Sequence, residues 1–347
     1  MPNSGSESTP VRDAGPSRRQ FFHKAGLAAG GLYALAGPSI LRPWVSGAEA
    51  ATDKRSYIAG RFGIELDGTY CGTLNQFEGG NFTADIIQST GPDRFKTKHL
   101  GPPKIEAITV ETGLEMAKPW YDWISRTMNG EPLRKSGAVI ELDQNSKEIG
   151  RRTFTNALLS EIEFPASDAT NAKDPWKLTV SFVPEQLQVV SGPGKQFPPA
   201  AKTKAASTSN YRLNIQGLET ATQKAAKIDA FTIKQQIIVG GLGASKVATL
   251  SPSYLEFPNL EVSVPEPFAG PLYGWIDDFV VKGNNGATKE RPGLLEYLLP
   301  DGKPFAAVQL YGLGVFKIST EGSTGGDRPR RTKVDMYCQK MTASFNP

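Results

Sequence analysis

The stretch Lys118–Phe164 decides the fold. It reads KPWYDWISRTMNG over Lys118–Gly130 and, after a short gap, GAVIELDQNSKEIGRRTFTNALLSEIEF over Gly137–Phe164. A second version returns over Gly270–Ser319, as GPLYGWIDDFVVKGN and then GLLEYLLPDGKPFAAVQLYGLGVFKIS. Pro119-Trp-Tyr-Asp-Trp-Ile lines up with Pro271-Leu-Tyr-Gly-Trp-Ile, and Leu142-Asp-Gln-Asn-Ser-Lys with Leu299-Pro-Asp-Gly-Lys. Two copies of one helix-and-hairpin unit read as a tandem duplication.

Each copy predicts the same local structure. Pro119 and Pro271 sit where a first-turn proline is tolerated, because its missing N–H has no partner there anyway. Trp120, Trp123, Ile124 and Met128 then fall on one helical face, as do Leu272, Trp275, Ile276 and Phe279. That is the stripe of a helix lying on a sheet, with Asn129-Gly130 and Lys282-Gly283 as stops. A hairpin follows, alternating through Val139–Leu142, turning at Asp143-Gln-Asn-Ser and returning around Arg152–Ala157. The tryptophans predict a core plug between helix and sheet rather than a cofactor box.

Outward toward the start, Ser17-Arg-Arg-Gln-Phe-Phe-His-Lys24 is a twin-arginine export motif, carried by Ser17, Arg18, Arg19, Phe21 and Lys24. The apolar run Ala25–Leu41 is diluted by Gly30, Gly31, Gly37 and Pro38, which disfavours a stable spanning helix. Ala48-Glu-Ala50 is a small-x-small cleavage site. The sequence therefore predicts a signal peptide over residues 1–50 and a twin-arginine translocase as partner during export. The destination would be periplasmic, cell-surface or extracellular. Cleavage removes five of 39 basic residues (Arg12, Arg18, Arg19, Lys24, Arg42) and three of 35 acidic ones (Glu7, Asp13, Glu49), leaving 34 against 32. Such a balance gives no electrostatic footprint for general nucleic-acid binding. Cys71 and Cys338 fall one in each half and read as separate buried thiols, although an oxidising compartment leaves a bridge open.

The remaining chain, about 300 residues, suffices for two ordinary domains. The first opens with the alternating Arg61–Asp67, turns at Asp67-Gly68, returns through Cys71–Phe77 and continues the sheet from Asn81 to Ile87. A Gly, Pro and Lys-rich loop over Thr90–Pro103 leads into the strand Ile105–Val110, and after helix and hairpin Trp176–Phe182 closes the domain. This order resembles the tail-tube proteins of contractile-tailed phages and related injection machines, over roughly Arg61–Val190. Lys98-His-Leu-Gly101 and Ile108-Thr-Val110 stand where that family has Lys-Leu-Pro-Gly and Ile-Thr-Leu, and Phe154-Thr-Asn-Ala157 matches its Phe-x-Asn-Ala. In the second half Leu310-Tyr-Gly-Leu313 occupies that last place without matching it.

The resemblance implies a mainly β (α+β) fold: two tandem tail-tube-like β-sandwich or barrel domains, each with one flanking helix. The boundaries are tail-tube-like domain 1 at 51–190, a Pro/Gly/Lys-rich exposed linker at 191–210 and a divergent domain 2 at 211–347. In the family six such domains ring a channel, and their sheets are completed by neighbouring subunits. Two domains per chain imply a trimeric, pseudo-hexameric ring, and head-to-tail stacking implies a tube. The long loop would then contribute to stacking, through Arg94, Phe95, Lys96, Lys98 and His99.

Catalytic chemistry is thinly represented. After cleavage His99 is the sole histidine, so no multi-His metal site can be assembled, and its place in a basic loop reads as a surface or interface role rather than a general base. No Gly-x-Ser-x-Gly, Cys-x-x-Cys or Walker-type phosphate loop occurs, and Gly240–Lys246 reads as a flexible loop. The pairs Glu161/Glu163 and Asp277/Asp278 read as solvated surface. The sequence thus predicts a non-enzymatic protein with no cofactor, no metal, no small-molecule substrate and no specific nucleic acid, its partner being itself. Two alternatives stand beside it: an exported adaptor of the same fold that does not polymerise, and an envelope enzyme loaded with a cofactor before export. Tail tubes assemble in the cytoplasm, so an export signal implies either a recruited extracellular structure or a leader that does not work as a signal.

Overall fold

Asp67 and Gly68 both take positive φ, 48° and 82°, the mirror-image turn whose twist matches two paired strands. That turn starts the first sheet. The computed structural model describes residues 61–90, 95–199, 206–240, 249–321 and 330–346. The export motif Ser17, Arg18, Arg19, Phe21 and Lys24, the cleavage residues Ala48 and Ala50, and Arg94 lie outside the described residues.

In chain order the first half holds β1 (Arg61–Leu66), β2 (Thr69–Gly79), β3 (Phe82–Thr90), β4 (Lys96–Ile105), β5 (Ile108–Thr112), α1 (Lys118–Met128), β6 (Lys135–Leu142), β7 (Glu148–Phe164), β8 (Ser167–Asp168), β9 (Leu178–Val183) and β10 (Gln186–Ser191). Six of these close a barrel in the order β7-β6-β1-β2-β5-β9, with β9 pairing back onto β7. The barrel therefore closes within the chain, not through a neighbour, which removes its exposed edges. Helix α1 buries Trp120, Trp123, Ile124 and Met128 in the core. Trp123 Nε1 donates to Leu133 O at 2.8 Å and Tyr121 Oη to Leu114 O at 2.8 Å, so the polar tips of both rings are satisfied.

The second half holds β11 (Tyr211–Ile215), α2 (Glu219–Thr222), β12 (Lys227–Ile228), β13 (Phe231–Val239), β14 (Leu250–Glu256), β15 (Leu260–Pro265), α3 (Gly270–Ile276), β16 (Arg291–Leu298), β17 (Pro304–Glu321) and β18 (Arg331–Phe345). Its sheet runs β11-β16-β17-β18-β15-β12, and β8 of the first half is added beyond β12. Helix α3 leaves α geometry early: Lys282 N bonds Asp277 O at 2.9 Å, one wide π turn over Asp277–Val281. Leu272, Trp275 and Phe279 are nonetheless buried, while Ile276 packs half-buried at the core's margin.

Two ladders of the first half have counterparts of the same register in the second. Between β6 and β7, Lys135 faces Ala157 and Gly137 faces Phe154; between β16 and β17, Arg291 faces Leu313 and Gly293 faces Leu310. In both ladders the register slips between those two pairs. A second slip falls between Leu159 and Glu161 where β7 meets β9, and between Val315 and Lys317 where β17 meets β18. Asn156 and Gly312, at equivalent positions, both have positive φ, 52° and 64°. These ladders match Leu142 with Leu298, one residue earlier than the string comparison that paired it with Leu299.

Three expectations need correcting. The stretch over Thr90–Pro103 is not a loop: Lys96–Ile105 is strand β4, paired with β3. Its Pro102 and Pro103 lack donors, and a strand with only one neighbour tolerates that. Strand β3 does not continue the barrel either, because Gly79 and Gly80 (φ 81° and 65°) turn the chain out of the sheet. Finally, the stretch 191–210 is not simply exposed. Phe197 is buried against Tyr70, with ring centroids 4.7 Å apart, and Ala206 is buried in the main core. Backbone bonds add to that burial: Phe197 N donates to Ser146 O at 2.9 Å, and Trp176 N to Ala206 O at 2.7 Å.

All described residues belong to one compact unit, and one core cluster draws on both halves. Phe164 of β7 stacks on Phe231 at 5.1 Å, on Tyr297 at 6.0 Å and on Phe345 at 6.5 Å.

Candidate assembly interface

The hairpin β3–β4 is a sheet of two strands by itself. Phe82, Ile86 and Ile87 on β3, and Leu100 on β4, are all more than half exposed, Leu100 reaching 77 %. Phe95, just before β4, is 73 % exposed. Lys96, Lys98 and His99 lie on the same strand, also exposed, with His99 opposite Ile87 and Lys98 opposite Gln88. The fold thus brings Phe95, Lys96, Lys98 and His99 together on one arm. Among the described residues the arm is apolar and cationic, and each of its two strands leaves its outer edge unpaired. Sequence reasoning found the basic residues but missed Phe82, Ile86 and Ile87, whose alternation read as ordinary sheet.

The second half carries the matching hairpin, β13–β14, and there the strand is already covered. Phe231–Lys234 pairs antiparallel with Glu161–Phe164 of β7. Phe231, which opens β13, is only 3 % exposed, whereas Phe82, which opens β3, is 60 % exposed. Lys234 Nζ lies 3.5 Å from Glu161 Oε1. At the start of β14, opposite Val239, the Leu250 N–H donates to Glu185 at 3.0 Å, and Arg134 reaches both Glu185, at 2.9 Å, and Leu250 O. Glu185 also accepts from Asn156 Nδ2 at 2.8 Å. The Asn of Phe-Thr-Asn-Ala therefore anchors the carboxylate that receives the hairpin. This hairpin leaves Ile238, Val239 and Tyr254 exposed.

The other candidates are dispersed. Glu161 faces Lys234, Asp277 pairs with Lys282 at 2.5 Å, and Asp278 accepts from Asn284 at 2.7 Å. Gly240 ends its strand, and residues 241–248 lie outside the described ones. Cys71 and Cys338 are buried, unpaired thiols. A groove of about 630 Å³ passes Tyr70, Cys71, Asn75, Met116 and Trp176. Burial raises the Cys71 thiol to about 11, so at neutral pH it is protonated and a poor nucleophile. Among the described residues no cluster of His, Cys, Asp and Glu could hold a metal ion, and no helix is long and apolar enough to cross a membrane.

Residues 59–174 match the family model of the T4-like virus tail tube protein gp19. That span covers the closed barrel's first five strands, the β3–β4 arm and α1. Among solved structures the chain is similar to the tube-terminating cap of the anti-feeding prophage, at 16 % identity over 42 % of this chain and 97 % of that one, with a TM-score of 0.35. It is similar to a chain of the sheath-tube complex of the extracellular contractile injection system PVC, at 16 % identity over 40 % and 93 %, TM-score 0.35. A third is Hcp1 from Flavobacterium johnsoniae, at 8 % identity over 40 % and 96 %, TM-score 0.25. No curated protein sequence matches the chain.

Proposed function

We propose that this chain is a non-enzymatic structural subunit, two tail-tube-like domains fused by duplication, that assembles as trimeric, pseudo-hexameric rings stacking into a tube or filament. The observation that carries this reading is the pair of equivalent hairpins, one docked and one bare, on halves that share their ladder registers. The tail-tube family match over residues 59–174 supports it for the first half. Domain 1 then spans 51–190 and domain 2 spans 211–347, joined by the 191–210 segment. The twin-arginine motif supports export of the folded subunit, and assembly outside the cytoplasm. Phe95, Lys96, Lys98 and His99 on the bare arm are the residues that would meet a neighbouring subunit or ring.

Negative-stain electron microscopy of the purified chain lacking residues 1–50 tests this. Rings with threefold or pseudo-sixfold symmetry, alone or stacked, are expected. A monodisperse monomer up to high concentration would overturn the reading. Sequencing the N-terminus of the protein recovered from its native location tests export separately, and a new terminus just after Ala50 is expected. A second reading, an exported adaptor that stops at one small oligomer, draws support from the second sheet, which is not closed as the first one is. Mass photometry separates the two, since an adaptor holds one discrete mass while a tube subunit grows.

A further inference from the structure

Helix α1 is covered on a side where α3 is bare, and the cover comes from the other half of the chain. Ile108 against β9 and Leu260 against β18 hold the same ladder position, and counting on from them matches Tyr121 with Tyr273. Both tyrosines point the same way. Tyr121 Oη donates to Leu114 O and Tyr273 Oη to Glu266 Oε1, each seven residues earlier. Yet Tyr121 is 4 % exposed and Tyr273 39 %. The Tyr121 ring stacks on Phe345 at 4.6 Å, and α1 packs along the strand β18 that carries it. One turn further, Ile124 and Ser125 are buried and half-buried, whereas Ile276 and Asp277 are half-buried and exposed.

The strand end that supplies this cover has a bare counterpart too. Leu187 of β10 faces Phe154 as Met341 faces Leu310, Val189 faces Arg152 as Ala343 faces Val308, and Ser191 faces Gly150 as Phe345 faces Ala306. Leu187 and Met341 are both buried, but Ala343 is buried where Val189 is exposed. Resting on the ring reading above, we infer that α3 of one copy is covered by the Leu187–Ser191 end of β10 in a second copy, with Ser191 at the Tyr273 ring and Val189 buried beside it. Occupancy selects the pair. Each half contributes one helix face and one strand end, and α1 and the end of β18 use each other up inside the chain. The α3 face and the β10 end are both left exposed, so a β10 reaches an α3 only from another copy. Side-chain size agrees. Inside the chain Phe345 lies between Tyr121 and Phe164, whose ring is 6.5 Å away. At the open joint Thr320 stands for Phe164 and Ser191 for Phe345, a matched reduction of floor and knob. Part of the lost bulk returns on the same strand face, as Val189 for Ala343. Changes that conserve volume across a contact are tolerated, and unmatched ones are not.

The test uses the chain lacking residues 1–50, with assembly read by mass photometry and sedimentation velocity across a concentration series. Val189→Asp blocks the strand end and Tyr273→Asp the helix face. Each alone should raise the concentration for half-assembly at least about tenfold. Mixed in equal amounts, the two variants should form heterodimers and stop there, because one intact α3 meets one intact β10 and the other two surfaces are blocked. Melting temperatures close to the parent's check folding. If Tyr273→Asp does not fold, Asp277→Trp, exposed and one turn along, blocks the same face by bulk. A single variant that assembles like a ring-forming parent would overturn this joint and leave the ring standing. So would a mixture that stays as monomeric as its components, or one that grows beyond dimers. A parent chain that never assembles would instead remove the ring reading, and this joint with it.

Discussion

Beside β1 the first half lays the 11 residues of β2; beside β11 the second half lays the four-residue helix α2, and two residues of strand follow in β12. The cause is local. Asp67-Gly68 turns tightly and sends the chain straight back along β1, whereas Gly217 (φ 74°) leads into Leu218–Thr222, with Leu218, Ala221 and Thr222 turned into the core. The Ile215 N–H then donates to Thr222 Oγ1 at 3.2 Å, a side chain standing in for the missing strand. Further along, β12 takes its second neighbour from the other half: Lys227 pairs with Asp168 and Ile228 with Ser167 of β8. One half is a closed barrel that could hold its edges alone, and the other is an open sheet that borrows a strand. The difference makes the second half dependent on the first for its edge and for part of its core.

The strongest way to break that comparison is at Phe164, which is fully buried and stacks on Phe231, Tyr297 and Phe345. Three of the four rings belong to the second half. Phe164→Ala should cost about 3–5 kcal/mol, and the loss should appear as one cooperative transition at lower denaturant, because both halves share this stack. Two separated transitions in urea, with only the first half's shifted, would mean that the halves fold independently.

A sharper probe is the equivalent pair Asn156 and Gly312, which also shows what the sequence could tell. Phe-Thr-Asn-Ala and Leu-Tyr-Gly-Leu share no residue, so a string comparison separates the two halves here. The backbone joins them, since both third positions need positive φ and both Asn and Gly supply it more readily than other residues. The helix and the hairpin of each half were legible because tryptophans and a turn are local signals. The β3–β4 arm was not, because Gly, Pro and lysine in a strand with one neighbour look like a loop, and exposure of Phe82 is a property of what is absent beside it. The borrowed strand β8 left no signal either, since two residues carry no period. Gly312→Ala forces a Cβ to within 2.5 Å of Gln339 Cγ and 2.7 Å of Glu290; those side chains can yield, but the positive φ cannot. A loss of about 1–3 kcal/mol is expected. Asn156→Gly keeps the conformation and loses only the bond to Glu185, about 1 kcal/mol. Chemical denaturation of the two variants side by side checks the order, and an equal or inverted cost would mean that the two bends are not equivalent.

The smallest effect expected is at the borrowed strand itself, where Asp168 has no counterpart in the closed barrel. Its carboxylate accepts from Thr170 Oγ1 at 2.6 Å and from Thr170 N at 2.8 Å. The Thr170 hydroxyl is the main cause that holds its pKa below the ordinary value; partial burial opposes this, and the Thr170 amide, Arg331 and Lys227 assist. A carboxyl whose pKa is lowered by folding stabilises the fold only while charged, so its contribution is complete above about pH 4 and fades as the pH falls through the depressed value. Asp168→Asn keeps an oxygen for Thr170 and removes the charge that faces Lys227 and Arg331. At pH 7 the variant should melt slightly below the parent, and the two melting curves should converge as the pH falls through the depressed value. Convergence would locate the effect in the charge that fastens β8 to β12. A gap unchanged down to pH 2 would place it instead in the packing of the borrowed strand, and the dependence of the open sheet on its neighbour would then be steric and not electrostatic.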